Sequence, residues 1–147
     1  MTFEPRLTYL IGRLERVLGR RLTGALEPWG LTLPAYTALS VLRVHDGLSN
    51  AQLARRSLVT PQSMIEALAQ LVEDGYVRRS ADPDHGRIIR MHLTAAGRRV
   101  LERCDRAVDR VEQEMLAGLD ADEAAELRTA LLHCGRALEG TQPERAG

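Results

Sequence analysis

The stretch from Ser49 to Thr94, SNAQLARRSLVTPQSMIEALAQLVEDGYVRRSADPDHGRIIRMHLT, is punctuated so closely that it leaves little choice of local structure. Ser49 with Gln52 three residues on spells a capping box, and the helix it opens buries Leu53 and Ala54. Thr60 followed by Pro61 opens a second helix, since proline at the first helical position has no N–H to lose there. Met64, Ala67, Leu68 and Leu71 recur on one face of that helix, and Gly75 is placed as its left-handed stop. Tyr76–Arg79 and Ile88–Leu93 then read as strands around a turn-rich tip, ADPDHG.

The flanking sequence is helical. Arg6 to Leu26 carries Leu7, Leu10, Ile11, Leu14, Val17, Leu18, Leu22, Ala25 and Leu26 on a wide stripe, ended by Pro28 and Gly30. A second helix opens at Pro34, carries Tyr36, Leu39, Val41 and Leu42, and stops near Gly47. Thr94 caps a long helix with its seam at Val100, Leu101, Cys104, Ala107, Val108, Val111 and Met115. Asp120 with Glu123 opens the last helix, with Ala124, Leu127, Leu131, Cys134 and Leu138 on one side. The tail TQPERAG is expected to fray.

Net charge is zero, but its distribution is not even. Residues 49–100 hold 8 Arg against 5 acidic residues, whereas residues from 101 onward hold 6 Arg against 11. A basic middle and an acidic end suit a lobe that meets nucleic acid and a helical lobe that faces away from it. All 20 basic residues are Arg, which base composition of the genome accounts for. Apolar runs fall well short of the ~18 residues a membrane span needs, and the start of the chain lacks the pattern of a secretory signal. Two cysteines, Cys104 and Cys134, neither in a C-x-x-C motif, fit a cytoplasmic location, and both are expected to be buried structural thiols. The four histidines are scattered, so no metal site or other cofactor is expected. No G-x-S-x-G, phosphate loop, H-E-x-x-H or paired-carboxylate arrangement points to an enzyme.

Taken together, the chain reads as mainly α (α+β). A winged helix-turn-helix over residues 31–94 carries a small β-wing. Residues 1–30 and 95–147 form a helical dimerisation lobe. The terminal stripes need a partner surface; a two-fold dimer would supply it and space two reading units one DNA turn apart. A monomer with an internal helical core is the alternative.

This sequence resembles the MarR family of bacterial transcriptional regulators over roughly Leu7 to Leu138. LTLPAYTALSVL is similar to the family's second helix, and LSNAQLARRSLVTPQSM to its helix-turn-helix entry. LVEDGYVRRSADPDHGRIIRMHLTAAGRRVL is similar to the end of its recognition helix, its wing and the helix after it. The resemblance implies a homodimer on palindromic operators, usually repressing, and often releasing DNA when a small aromatic or phenolic ligand binds. Three positions depart from the pattern. The wing tip reads His85-Gly86-Arg87, so His85 stands where the family often has the carboxylate that positions the tip arginine. The turn often occupied by Gly carries Leu58, and Glu66 replaces a frequent basic residue. Asp82 and Asp84 are the candidates to supply the missing carboxylate.

With the apolar stripe inward, Gln62, Ser63, Ile65 and Glu66 face outward. Gln62 can pair with adenine, Glu66 can accept from cytosine N4, Ile65 can pack on a thymine methyl, and Ser63 and Thr60 can bond a phosphate or base edge. Phosphate affinity must then come from Arg55, Arg56, Arg78, Arg79, Arg87 and Arg90. Arg87 at the wing tip is placed to enter a narrow minor groove. Arg78 and Arg79 alternate across a strand, so at most one faces DNA directly. A ligand pocket of the family's kind would draw on Tyr9, Arg13, Trp29, Tyr36 and His45, an Arg beside aromatics suiting an aromatic carboxylate. Taken singly, each of these five reads better as an ordinary core or surface residue. A winged helix that binds another protein instead of DNA is the rival reading.

Overall fold

The computed structural model describes residues 4–140, so the expected fraying of the tail lies outside the described residues. The order is α1 (Leu7–Leu26), a 3-10 turn (Glu27–Trp29), α2 (Leu33–Val44), β1 (Leu48–Ser49), α3 (Asn50–Ser57) and α4 (Pro61–Glu73). The wing strands β2 (Val77–Ala81) and β3 (Ile89–Leu93), then α5 (Ala95–Met115) and α6 (Ala121–Glu139), complete it. Two compact units divide the chain after Val111.

In the first unit, α2, α3 and α4 enclose a core that is almost wholly aliphatic. Leu39, Leu42, Leu53, Met64, Leu68, Leu71 and Leu101 are fully buried in it, with Leu26 closing one end. The inward stripe of α4 is the one its spacing predicts: Met64, Ala67, Leu68 and Leu71. Local signals set the helix ends. Thr32 caps α2 through Ala35 N–H, and Thr60 caps α4 through Ser63 N–H. Ser49 and Gln52 form the reciprocal capping box of α3.

The sheet has the order β1-β3-β2 and is antiparallel throughout. β1 is absent from the expectations, because two residues carry no readable periodicity; Leu48 and Ser49 are strand only because Met91 and Arg90 pair with them. The wing pairs Val77 with Leu93, Arg79 with Met91 and Ala81 with Ile89. Val77 and Met91 are buried on the inner face.

Thr94 welds the wing to α5. Its Oγ1 donates to Gly75 carbonyl and accepts from Gly97 N–H, while its own N–H donates to Tyr76 carbonyl. Gly97 is required there: a Cβ would stand 2.2 Å from Tyr76 O and 2.7 Å from Leu93 Cδ1.

α1 buries only Leu26, and Leu7, Tyr9, Leu10, Ile11, Leu14 and Val17 are exposed. In the second unit the Asp120–Glu123 capping box forms as expected, and no residue of α6 is buried. Cys134 is therefore exposed, which corrects the expectation of two buried thiols. Cys104 is buried as expected, and burial, with Asp105 adding to it, pushes its thiol up to about 11.

Candidate nucleic-acid interface

α3 and α4 meet at a tight turn that depends on a left-handed residue. Leu58 occupies it with φ 53°, the non-glycine departure that the sequence flags. Its side chain is 86% exposed, so no packing offsets the backbone cost. The turn sets α4 with one polar face open. Gln62, Ile65 and Glu66 are exposed on it and Ser63 is half-buried. These groups satisfy one another in the free chain. Gln62 Nε2 donates to Glu66 Oε1 at 3.3 Å, and Thr60 Oγ1 donates to Ser63 Oγ at 3.0 Å. Base edges could replace these partners without leaving a buried polar group behind. Ile65, 50% exposed in that polar setting, offers an apolar contact.

The wing tip is organised by Asp82, which is 5% exposed. Its Oδ1 accepts the N–H groups of Asp84 and His85 at 2.8 and 3.1 Å. Its Oδ2 accepts Arg90 Nε at 2.6 Å and pairs with Arg90 Nη2 as well. The N–H of Asp84, then Arg90, hold the carboxyl below the usual carboxylate range. Of the two candidates for the missing tip carboxylate, Asp82 does the tying, and Asp84 contributes its N–H. The tip turn closes with Ile88 N–H on His85 carbonyl and Asp82 N–H on Ile88 carbonyl, leaving Arg87 exposed at the apex.

The candidate arginines divide by what they already hold. Arg55 and Arg56 are exposed on the last turn of α3, and Arg78, Arg79 and Arg87 are exposed on the wing. The pairing register puts Arg78 and Arg79 on opposite faces of β2. Arg90 is half-exposed but already committed: besides Asp82 it donates from Nη1 to Gly47 carbonyl at 2.9 Å. Its role in the geometry is to hold the tip and the α2–β1 loop together. Sequence reasoning undervalued Asp82 and Gly47, because the bonds that define them cross 8 and 43 residues.

Residues 29–88 match the family model described as MarR family. The HTH-type transcriptional repressor Rv2887 of Mycobacterium tuberculosis is 39% identical over 132 residues, covering 90% of this chain and 95% of that protein. This chain belongs to the MarR family. A crystal structure of the M. tuberculosis MarR-family protein Rv2887 with p-aminosalicylic acid has 37% identity, a TM-score of 0.74 and coverage of 89% of this chain and 99% of that one. The crystal structure of Rv2887 with DNA gives 36% identity and a TM-score of 0.74, covering 90% and 99%.

Within this MarR-family fold the five candidate ligand residues do not converge. Tyr9 and Arg13 line an open groove of about 610 Å³ along α1, together with Arg16 and Arg20. Trp29 is half-buried against the core, and His45 is exposed at the end of α2. Tyr36 is bound elsewhere: its hydroxyl donates to Asp105 Oδ1 at 2.7 Å, while Arg43 Nη1 donates to Asp105 Oδ2 at 2.5 Å. Burial first, then Asp105, pushes the Tyr36 phenol up to about 12. A second groove, about 420 Å³, runs between the start of α2 and the recognition helix, lined by Leu31, Thr32, Ala35, Ser63, Glu66 and Gln70. Among the described residues no cluster of three or more His, Cys, Asp or Glu is placed to hold a metal ion, and no helix is long and apolar enough to cross a membrane.

Proposed function

We propose that this chain is a ligand-responsive transcriptional repressor that binds a palindromic operator as a homodimer, and that it acts by binding, without enzymatic turnover. The single observation that carries this reading is the pairing of α4, with its open Gln62–Glu66 face, with a wing whose tip turn is tied by Asp82 and carries the exposed Arg87. In this reading α4 enters the major groove, where Gln62, Ser63, Ile65 and Glu66 select bases. Thr60, Arg55 and Arg78 grip phosphates, and Arg87 enters the minor groove. Arg90 serves from behind, by positioning the tip. Residues 31–94 form the reading domain. Residues 1–30 and 95–147 form the dimer region, where a second copy covers the exposed apolar faces of α1 and α6.

The effector class follows from the same relatives: Rv2887 has been crystallised with p-aminosalicylic acid and with salicylic acid. An aromatic carboxylate suits the groove along α1, where Arg13 stands beside Tyr9. The test is a gel shift on the DNA upstream of the chain's own coding sequence, with footprinting. A two-fold footprint is expected, with affinity falling steeply with salt as ~6–8 phosphates are neutralised, and weakened by salicylate. Absence of salt-sensitive binding there and to any selected palindrome would leave the protein-interaction reading in its place.

A further inference from the structure

The face of the wing that carries Arg78 also holds Ser80 and His92, which the proposed DNA reading does not use. Arg78 lies opposite His92 and Ser80 opposite Arg90, so Ser80 and His92 are diagonal neighbours on one face of the sheet. Asp46, in the loop between α2 and β1, comes up beside them. Ser80 Oγ is 2.7 Å from His92 Nε2, and His92 Nδ1 is 2.8 Å from Asp46 Oδ2. The loop is pinned to β3 on both sides: Gly47 N–H donates to Met91 carbonyl, and Gly47 carbonyl accepts from Arg90. Gly47 has φ 76°, and even a Cβ there would touch the imidazole, 3.5 Å from Cε1. The histidine ring is thus held between a carboxylate and a hydroxyl, with Gly47 leaving room beside it.

This is the order of groups that activates a hydroxyl. A carboxylate accepting from Nδ1–H sets the neutral imidazole in the tautomer whose Nε2 carries the lone pair. Nε2 then accepts from the Ser80 hydroxyl, which makes a nucleophile, a base in hydrogen-bond reach and a third group that orients the base. The hydrogen bond from His92 holds the Asp46 carboxyl below its ordinary range. His92 is well covered, with 16% of its side chain exposed, whereas Asp46 is 63% exposed and acts as a positioning residue through a solvent-weakened bond.

We propose that Ser80 is an activated nucleophile, a covalent modification site that accepts an acyl group from a small activated carboxylic ester, with His92 as general base. Ser80 Oγ bonds to the carbonyl carbon as the bond from that carbon to the leaving oxygen breaks. The Oγ proton passes to His92 Nε2 and on to the leaving phenolate or alkoxide, so the products are an acyl-serine and a phenol or alcohol. The acyl group then occupies the junction of both wing strands and the α2–β1 loop, the same three segments that Arg90 and Asp82 tie together.

The experiment treats the full chain with p-nitrophenyl acetate, follows nitrophenolate release, and locates the acetyl group by intact mass and peptide mapping. One acetyl group per chain, on Ser80, is expected, and S80A removes it. H92Q slows the reaction about a hundredfold, the usual scale of general-base assistance. D46N removes the carboxylate that orients the imidazole, so the acetylation rate per folded chain falls about tenfold and D46E restores part of it; a purely structural Asp46 would leave the rate per folded chain unmoved. Circular dichroism melts establish that each variant is folded, and D46N, at an exposed loop position, decides the matter if S80A or H92Q fails to fold. Acetylation of Ser80 no faster than of the chain's other serines, or an unchanged acetylation rate in folded D46N, overturns the proposal.

Discussion

Asp82 and Arg90 lock the wing to itself. The buried Asp82 carboxylate accepts Arg90 Nε at 2.6 Å and, through its other oxygen, the N–H groups that begin the tip turn. One side chain therefore joins the end of β2, the tip and β3. The tip arginine sits on a turn that the chain itself ties down through Asp82. His85 can occupy the place of the family's carboxylate because the anchoring has moved three residues back along the chain.

Asp82→Asn keeps an acceptor but removes the charge. Operator affinity should fall roughly tenfold, as the tip loses its pre-set geometry. The variant also has a pH signature. Asp82 and Asp46 are held below the ordinary carboxylate value of 3.8. Their contribution to stability is fully present above the unfolded pKa and is lost as pH falls through the lower folded values. Acid unfolding followed by circular dichroism should be steep below about pH 4 in wild type and shallower in D82N.

Arg87→Ala tests the tip directly. Affinity for the operator should drop about tenfold or more, and the slope of log affinity against log salt should shrink by about one per wing. Sedimentation should find the dimer intact, since Arg87 lies on the wing tip, outside the proposed dimer region. Unchanged affinity would remove the wing from the mechanism.

Leu58→Gly should stabilise the fold. A left-handed leucine costs about 1–2 kcal/mol, against ~0.5–1 kcal/mol of extra chain entropy lost by glycine on folding. The exposed side chain leaves no cavity. A rise of about 2 °C in the melting midpoint is expected by calorimetry. A fall would mean that the leucine makes a contact in the assembled protein.

Gly97→Ala should do the reverse of what helix propensity predicts. Alanine in an open helical position gains about 1 kcal/mol over glycine. Here the added carbon would meet Tyr76 carbonyl at 2.2 Å, backbone that cannot swing aside. A loss of about 2 kcal/mol or more should appear in urea unfolding.

Tyr36→Phe removes the hydroxyl that Asp105 accepts, a loss of about 1 kcal/mol at neutral pH. In alkali the sign turns over. The folded phenol is raised from 10.0 to about 12, so the native state holds its proton while the unfolded chain releases it. Stability is unaffected by this group below the unfolded value and declines as pH climbs from there through 12. Alkaline denaturation curves should show that decline in wild type and a smaller one in Y36F.

Most of the reading unit was legible beforehand because its signals are local. The Ser49–Gln52 and Asp120–Glu123 boxes, the Thr60 cap, the Pro61 start and the inward stripe of α4 all formed as their spacing implies. Each involves groups within four residues or one helical face, where sequence distance and spatial distance coincide. β1 escaped notice because its two residues become a strand only through pairing with β3.

By itself, the sequence determined the helices, their caps, the hairpin and which face of α4 stays polar, since these rest on short-range hydrogen bonds and on the period of apolar residues. Tertiary structure alone decided the rest: that Asp82 takes the anchoring role at the tip, that Arg90 is tied to Asp82 and Gly47, that Cys134 lies open, and that Asp46, Ser80 and His92 meet. Those outcomes depend on strand register and on loops closed across tens of residues, where a shift of one residue in pairing would turn every side chain to the other face.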